Sequence, residues 1–200
     1  YARLVGEFNA SNLLAVYSVA LLLGKAPLDV LMALSDLEPP RGRFQVLRSG
    51  GGVMGIVDYA HTPDALKNVL ATINEVCQGE ERVITVFGCG GDRDRAKRPK
   101  MARIAAAMSA LVVLTSDNPR SEDPMAILEE MRAGVAPSDA GRVFINADRR
   151  EAIRQAAGMA KPGDVILLAG KGHEDYQEIK GVKHPFDDAA VLRETLELLH

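Results

Sequence analysis

Apolar positions follow two regimes along this chain. From Asn12 to Leu23 they occupy every side of a helix-length stretch that ends at Gly24, which predicts a buried helix with a glycine stop, and Pro27 to Leu37 predicts a second helix with proline in its first turn. Pro39 and Pro40 break that pattern and read as a linker ahead of Arg41 to Arg43. Beyond the linker the pattern becomes strand, helix, strand, helix. Phe44 to Arg48 and Val53 to Asp58 flank the Ser49 to Gly52 turn as a hairpin. Val83 to Phe87, Leu111 to Thr115 and Val165 to Ala169 are nearly continuous apolar runs of strand length, and Val143 to Asn146 is a weaker one. Runs apolar on both faces belong to a parallel sheet covered by helices. The covering helices are placed at Pro63 to about Cys77 with Thr62 as N-cap, Pro99 to Ser109, Pro124 to about Gly134, Asp148 to Ala160, and from Asp187 to His200. The fold class that follows is α/β, a doubly wound Rossmann-like sheet preceded by a short helical unit, with domains at 1–40 and 41–200. In such sheets ligands lie at the carboxyl ends of the strands, so the informative loops follow Val57, Phe87, Thr115 and Ala169.

Composition narrows the classes. Two hundred residues, 47% apolar and 26% charged, suffice for one good core with a small appendage. A net charge of −3 gives no general attraction to nucleic acid or to an anionic membrane, so any anion binding must be local. Cys77 and Cys89 form neither a CxxC pair nor a disulfide framework and read as small apolar fillers in a reducing compartment. The longest apolar runs fall far short of the roughly 20 residues that span a bilayer, so the expectation is a cytoplasmic protein with no membrane partner. The start at Tyr1, straight into a patterned segment, is the expected mark of a piece of a longer chain.

Each informative loop carries polar chemistry or glycine. Gly88, Gly90 and Gly91 follow a strand, but a GxGxxG dinucleotide loop needs a glycine where Arg93 stands, which disfavours a nucleotide-cofactor oxidoreductase. Arg93, Arg95, Lys97, Arg98 and Lys100 instead offer a local positive field for a carboxylate or phosphate, or a solvated charge run partly neutralised by Asp92 and Asp94. "GKGHE" is not a P-loop, because Gly172 follows Lys171 where Ser or Thr would hold magnesium. Asp58 and His61 read either as a metal or acid–base pair or as a turn-former and a polar loop residue. Glu174, after Gly170 and Gly172, could reach a ligand brought close to the backbone. Asp117, Asn118, Pro119 and Arg120 form either a capped proline turn or a site.

Taken together, "GEFNASN" (Gly6 to Asn12), "RGRF" (Arg41 to Phe44), "DYAHTPDAL" (Asp58 to Leu66), "GCGGDRDRAKRP" (Gly88 to Pro99), "DNPR" (Asp117 to Arg120) and "GKGHEDYQ" (Gly170 to Gln177) closely resemble the Mur ligase family, in the family's order. Within the family they look like the members that add meso-diaminopimelate to a UDP-N-acetylmuramoyl dipeptide. The resemblance implies that residues 1–40 are the tail of the central ATPase domain and the remainder the carboxy-terminal domain, the N-terminal and central domains being partners from the same enzyme. It implies ATP and Mg2+ as cofactors, with the P-loop, the magnesium ligands and a carbamylated lysine upstream of Tyr1. It implies ATP-driven amide formation through an acyl phosphate, with Asn9, Arg43, Asp58 and His61 facing the nucleotide, Arg43 near the terminal phosphate and Asp58 near the ribose. It further implies that Arg93, Asp117, Asn118, Pro119, Arg120, Gly170 and Glu174 hold the incoming diaminopimelate, the arginines taking carboxylate and the acids taking ammonium. The competing reading is a non-catalytic Rossmann-like module that binds an amino acid or a nucleotide.

Overall fold

In the computed structural model, which describes residues 4, 7–77 and 81–198, the break at Pro39 and Pro40 coincides with a division into two units, Tyr1–Pro40 and Arg41–His200. The first unit holds α1 (Glu7–Leu22) and α2 (Pro27–Ser35), with Gly24 at φ 77° between them, the left-handed conformation that makes glycine a helix stop. The expectation of a buried first helix fails. Leu14 is 65% exposed and Leu22 86% exposed, because a helix apolar on every side needs more cover than α2 provides.

The second unit is the predicted α/β domain. β1 (Gln45–Arg48) and β2 (Met54–Asp58) pair antiparallel as the expected hairpin. There follow α3 (Pro63–Val76), β3 (Val83–Phe87), α4 (Lys97–Met108), β4 (Leu111–Leu114), α5 (Pro124–Arg132), β5 (Val143–Ile145), α6 (Arg149–Met159), β6 (Val165–Ala169), β7 (Tyr176–Ile179), β8 (Val182–Pro185) and α7 (Asp188–Leu198). The main sheet runs in the order β1-β2-β6-β3-β4-β5, parallel from β2 onward. Alternation along the strands sorts the core into two layers. Phe87, Leu114 and Leu167 pack with Leu66, Leu70, Met101, Leu128 and Met131 of α3, α4 and α5. Ile84, Val86, Val113, Ile166 and Leu168 pack with Ile153, Ala156, Leu192 and Leu196 of α6 and α7. Since the chain moves outward through β3, β4 and β5 and then returns to β6 on the other side of β3, the switch of winding direction falls between β3 and β6, where open α/β sheets leave a crevice.

Side-chain caps set the helix starts. Thr62 accepts from Ala65 N at 3.3 Å, Asp123 from Ala126 N at 3.0 Å, Asp148 from Glu151 N at 3.1 Å and Asp187 from Ala189 N at 3.0 Å. Helix α4 begins at Lys97 rather than Pro99: Asp94 accepts from Ala96 N at 2.9 Å, and Pro99 is accommodated in the first turn, where it has no amide hydrogen to leave unpaired. The expected end of the last helix at His200 lies outside the described residues. Absent from the sequence reading were a short 3-10 turn at Pro137–Arg142 and the β7–β8 hairpin. The hairpin's signal was Lys180-Gly181, both at positive φ (51° and 78°), as a tight two-residue turn demands. No described helix is long and apolar enough to cross a membrane.

Candidate functional site

Glycines bring three loops together at the switch point. A Cβ at Gly88 would overlap the backbone at Thr115, and one at Gly91 would overlap the Pro119 carbonyl, while Gly91 N donates to Asn118 O at 2.9 Å. The glycines after β3 therefore let that loop lie directly against the loop after β4. Gly170, at φ 111°, begins the loop after β6, and a Cβ there would stand 2.8 Å from Asp117 Oδ2. Beside Gly90, the position of a missing Cβ is 2.9 Å from Arg120 Nη1 and 3.7 Å from Arg93 Cγ, so the two arginines flank one stretch of bare backbone.

Of the acids of this cleft, Asp117 is buried and Glu174 half-buried, and both face Lys171. Lys171 is fully buried, with its ammonium 3.1 Å from Asn118 Oδ1, 3.4 Å from Glu174 Oε2 and 4.0 Å from Asp117 Oδ1. Asn118 Nδ2 donates to Glu174 Oε2 at 2.8 Å, and its Oδ1 also accepts from Glu178 N at 2.9 Å. Behind them Arg149 and Asp188, both fully buried, form a two-pronged pair at 2.8 and 2.7 Å, and Arg149 also donates to the carbonyls of Ser116 and Ala169. Burial raises the Asp117 carboxyl above its usual value, with Arg149 and Lys171 opposing. Arg120 adopts φ 51°, donates Nη1–H to Gly91 O at 2.8 Å, and lies 3.6 Å from Glu178 Oε2. Its backbone is clamped to β7, since Arg120 N donates to Glu178 O at 3.0 Å and Lys180 N donates to Arg120 O at 2.7 Å. Pro119, buried in the turn, leads into this strained conformation.

In the positive run from Arg93 to Lys100, Arg95 and Arg98 are paired with the protein's own acids. Arg98 is fully buried against Glu122, Glu130 and the Gly90 carbonyl, and Arg95 pairs with Glu130. Arg98 holds the Glu122 carboxyl down at about 2. Lys97 donates to His61 O at 2.8 Å, whereas Arg93 stays exposed, its Nη1 donating to the Asp92 carbonyl at 3.3 Å. Cys89 is inert filler, its thiol pushed up to about 12 by burial.

A second cluster forms around the end of β2. Phe44, at φ 47°, donates its N–H to Asp58 Oδ2 at 2.8 Å; burial nonetheless raises the Asp58 carboxyl, against the Phe44 and Ala60 amides and Arg43. The Arg43 guanidinium lies 4.8 Å from the centre of the Tyr59 ring, and that ring lies 4.5 Å from His61 and 5.2 Å from His173. Gly42 and Gly172 permit this convergence, because a Cβ on Gly42 would overlap the Gly172 and His173 backbone. His61 Nδ1 lies 2.9 Å from Tyr59 O, and no group of three His, Cys, Asp or Glu among the described residues could hold a metal ion. Asn9 is in α1 of the first unit, where Asn12 Nδ2 donates to its Oδ1 at 3.5 Å. Sequence reasoning missed Lys171, Tyr59 and His173. Each stands next to a residue singled out from the loops, but none carries a signal until the chain is folded.

Residues 42–172 match the family described as Mur ligase, glutamate ligase domain. The chain is 59% identical over 192 residues to the UDP-N-acetylmuramoyl-L-alanyl-D-glutamate–2,6-diaminopimelate ligase of Bacteroides thetaiotaomicron, covering 96% of this chain and 40% of that protein. It is 50% identical over 194 residues to the ligase of the same name from Aquifex aeolicus, covering 97% and 39%. Among solved structures, one of a UDP-N-acetylmuramoyl-L-alanyl-D-glutamate–2,6-diaminopimelate ligase superposes with a TM-score of 0.77 at 44% identity, covering all of this chain and 40% of that one. The UDP-N-acetylmuramate-alanine ligase of Thermotoga maritima, at 21% identity and a TM-score of 0.68 over 99% of this chain and 39% of that one, shares the fold. The chain thus spans about 40% of the length of the relatives it matches.

Proposed function

The chain belongs to the Mur ligase family, and from that membership we propose that it is the carboxy-terminal portion of an ATP-dependent ligase of peptidoglycan precursor synthesis. The parent enzyme adds meso-diaminopimelate to UDP-N-acetylmuramoyl-alanyl-glutamate. The observation that carries this reading is the meeting of Asp117, Arg120, Gly170, Glu174 and Arg93 at the switch point, with both signs of charge within one cleft. Meso-diaminopimelate has two amino-acid ends; one amine must stay free to attack while the other end is held. In this assignment Arg120 and Arg93 take carboxylate, Asp117 and Glu174 take ammonium, and the Gly170 backbone adds a hydrogen bond. Asn118 and Pro119 hold the loop in shape. Lysine, lacking the distal carboxylate, would leave Arg120 half-buried without that partner, by analogy a discrimination of roughly 10⁴.

At the second cluster, the exposed Arg43 guanidinium and the ring faces of Tyr59, His61 and His173 are a donor set that suits a nucleotide. When bound, ATP supplies the phosphoryl group that activates the dipeptide carboxylate as an acyl phosphate. Arg43 would oppose charge gathering on phosphate oxygens, Asp58 would face the ribose, and His61 would complete the nucleotide contacts of this unit. The family resemblance assigns the magnesium ligands and the P-loop to the central domain.

The test is phosphate release by the full-length protein, expected only when ATP, UDP-dipeptide and meso-diaminopimelate are all present. Equal turnover with lysine would sink the assignment of Arg120. The 200-residue chain alone is expected to release none.

A further inference from the structure

Lys171 is a fully buried ammonium whose acceptors, Asn118 and Glu174, are both placed in the amino-acid cleft. Burying a charge costs several kcal/mol unless it is well partnered, and a neutral amide could tie the same two loops by hydrogen bonds. What only a cation supplies here is charge. Arg149 and Asp188 form a self-neutral pair behind the cleft. In front of it, the two carboxyl groups of Asp117 and Glu174 face the single ammonium of Lys171, 4.0 and 3.4 Å away. That is one acid more than the lysine answers. It matches one ammonium group of an incoming ligand.

We propose that Lys171 is a positioning residue that sets the charge of the amino-acid subsite, leaving it one negative charge to receive a single ammonium while holding Glu174 and Asn118 in place. This rests on the reading of the cleft as the diaminopimelate subsite. It makes an uncommon demand on mutants: removing Lys171 should rescue a protein whose cleft has already lost a carboxylate. Glu174→Gln cancels the residual charge. Adding Lys171→Met restores it, with Asp117 now the unpaired acid.

The experiment measures KM for meso-diaminopimelate and for ATP in the full-length protein, unsubstituted, as Glu174→Gln, and as Glu174→Gln with Lys171→Met. Glu174→Gln is expected to raise the diaminopimelate KM about tenfold or more, and the double variant to recover at least about threefold of that, with the ATP KM unchanged in both. A double variant as poor as Glu174→Gln, or poorer, overturns the inference and leaves the ligase reading standing. An unsubstituted protein with no diaminopimelate-dependent phosphate release overturns both. If the double variant does not fold, Lys171→Arg and Lys171→Gln decide: the arginine is expected within about threefold of the unsubstituted KM and the glutamine about tenfold above it. Equal values for the two overturn the inference.

Discussion

The cleft between the loops after β3, β4 and β6 and the cluster at the end of β2 are built on opposite plans. In the cleft, charged groups are buried and face other charges, as Lys171, Arg149, Asp117 and Asp188 show. In the cluster, Arg43, His61 and His173 are exposed and meet across ring faces, and the one acid, Asp58, is tied down by backbone amides. A cleft of the first kind is preorganised: under the proposed function its ligand would meet groups whose places are fixed, and selectivity would reside there. A surface of the second kind is cheap to alter for stability.

The sharpest way to break this contrast is to damage each region's central cation. Arg149→Ala leaves Asp188 buried without its partner and frees two carbonyls, and is expected to cost about 3–5 kcal/mol in urea unfolding. Arg43→Ala removes an exposed guanidinium from a ring face and is expected to change stability by no more than about 0.5–1 kcal/mol, while turnover in the full-length protein falls. Comparable losses of stability would mean that the two regions do not differ in kind.

Next in size is selectivity. Arg120→Lys keeps a positive charge but loses the planar fork, and the left-handed backbone that aims it, at φ 51°, is unchanged. The ratio of kcat/KM for meso-diaminopimelate over lysine is expected to fall about 100-fold, about 2.7 kcal/mol. A ratio that does not move would place the selective contact elsewhere, with Arg93 the first candidate.

What the sequence disclosed follows the same contrast. The sheet was legible because β3 and β6 are continuous apolar runs between helix caps, and Val83–Phe87 and Val165–Ala169 stand where the pattern placed them. Loop residue types marked the cleft, since Asp117, Arg120 and Glu174 follow strand ends. The partnering of charges was not legible, because Arg98 of α4 meets Glu122 of the loop after β4 and Glu130 of α5 only once the chain is folded, and Lys171 meets Asn118 across 53 positions. A charge run in sequence shows supply and says nothing of demand. The exposure of α1 was missed for a related reason: an apolar helix shows a need for cover, not that the cover is present.

The smallest expected effect is also the one that tests the wall of the cleft. Glu122 accepts from both terminal nitrogens of Arg98 and from Asp92 N at 2.6 Å, and so ties the loop after β3 to the loop after β4. Its folded value, held at about 2 first by Arg98 and then by the Asp92 amide, lies below the ordinary 4.5. A depressed acid stabilises the fold above its unfolded value and loses that contribution as pH falls through its folded one. Stability from this contact should therefore decline between about pH 4.5 and pH 2. Asp58 has the opposite sign: burial raises its value, so protonation on acidification favours the folded state. Thermal midpoints taken across this range are expected to drop in the unsubstituted chain, and Glu122→Gln to start lower and drop less. A Glu122→Gln profile parallel to the unsubstituted one would show that the Arg98 contact carries no acid sensitivity, and that the cleft owes its shape to the glycine backbone contacts instead.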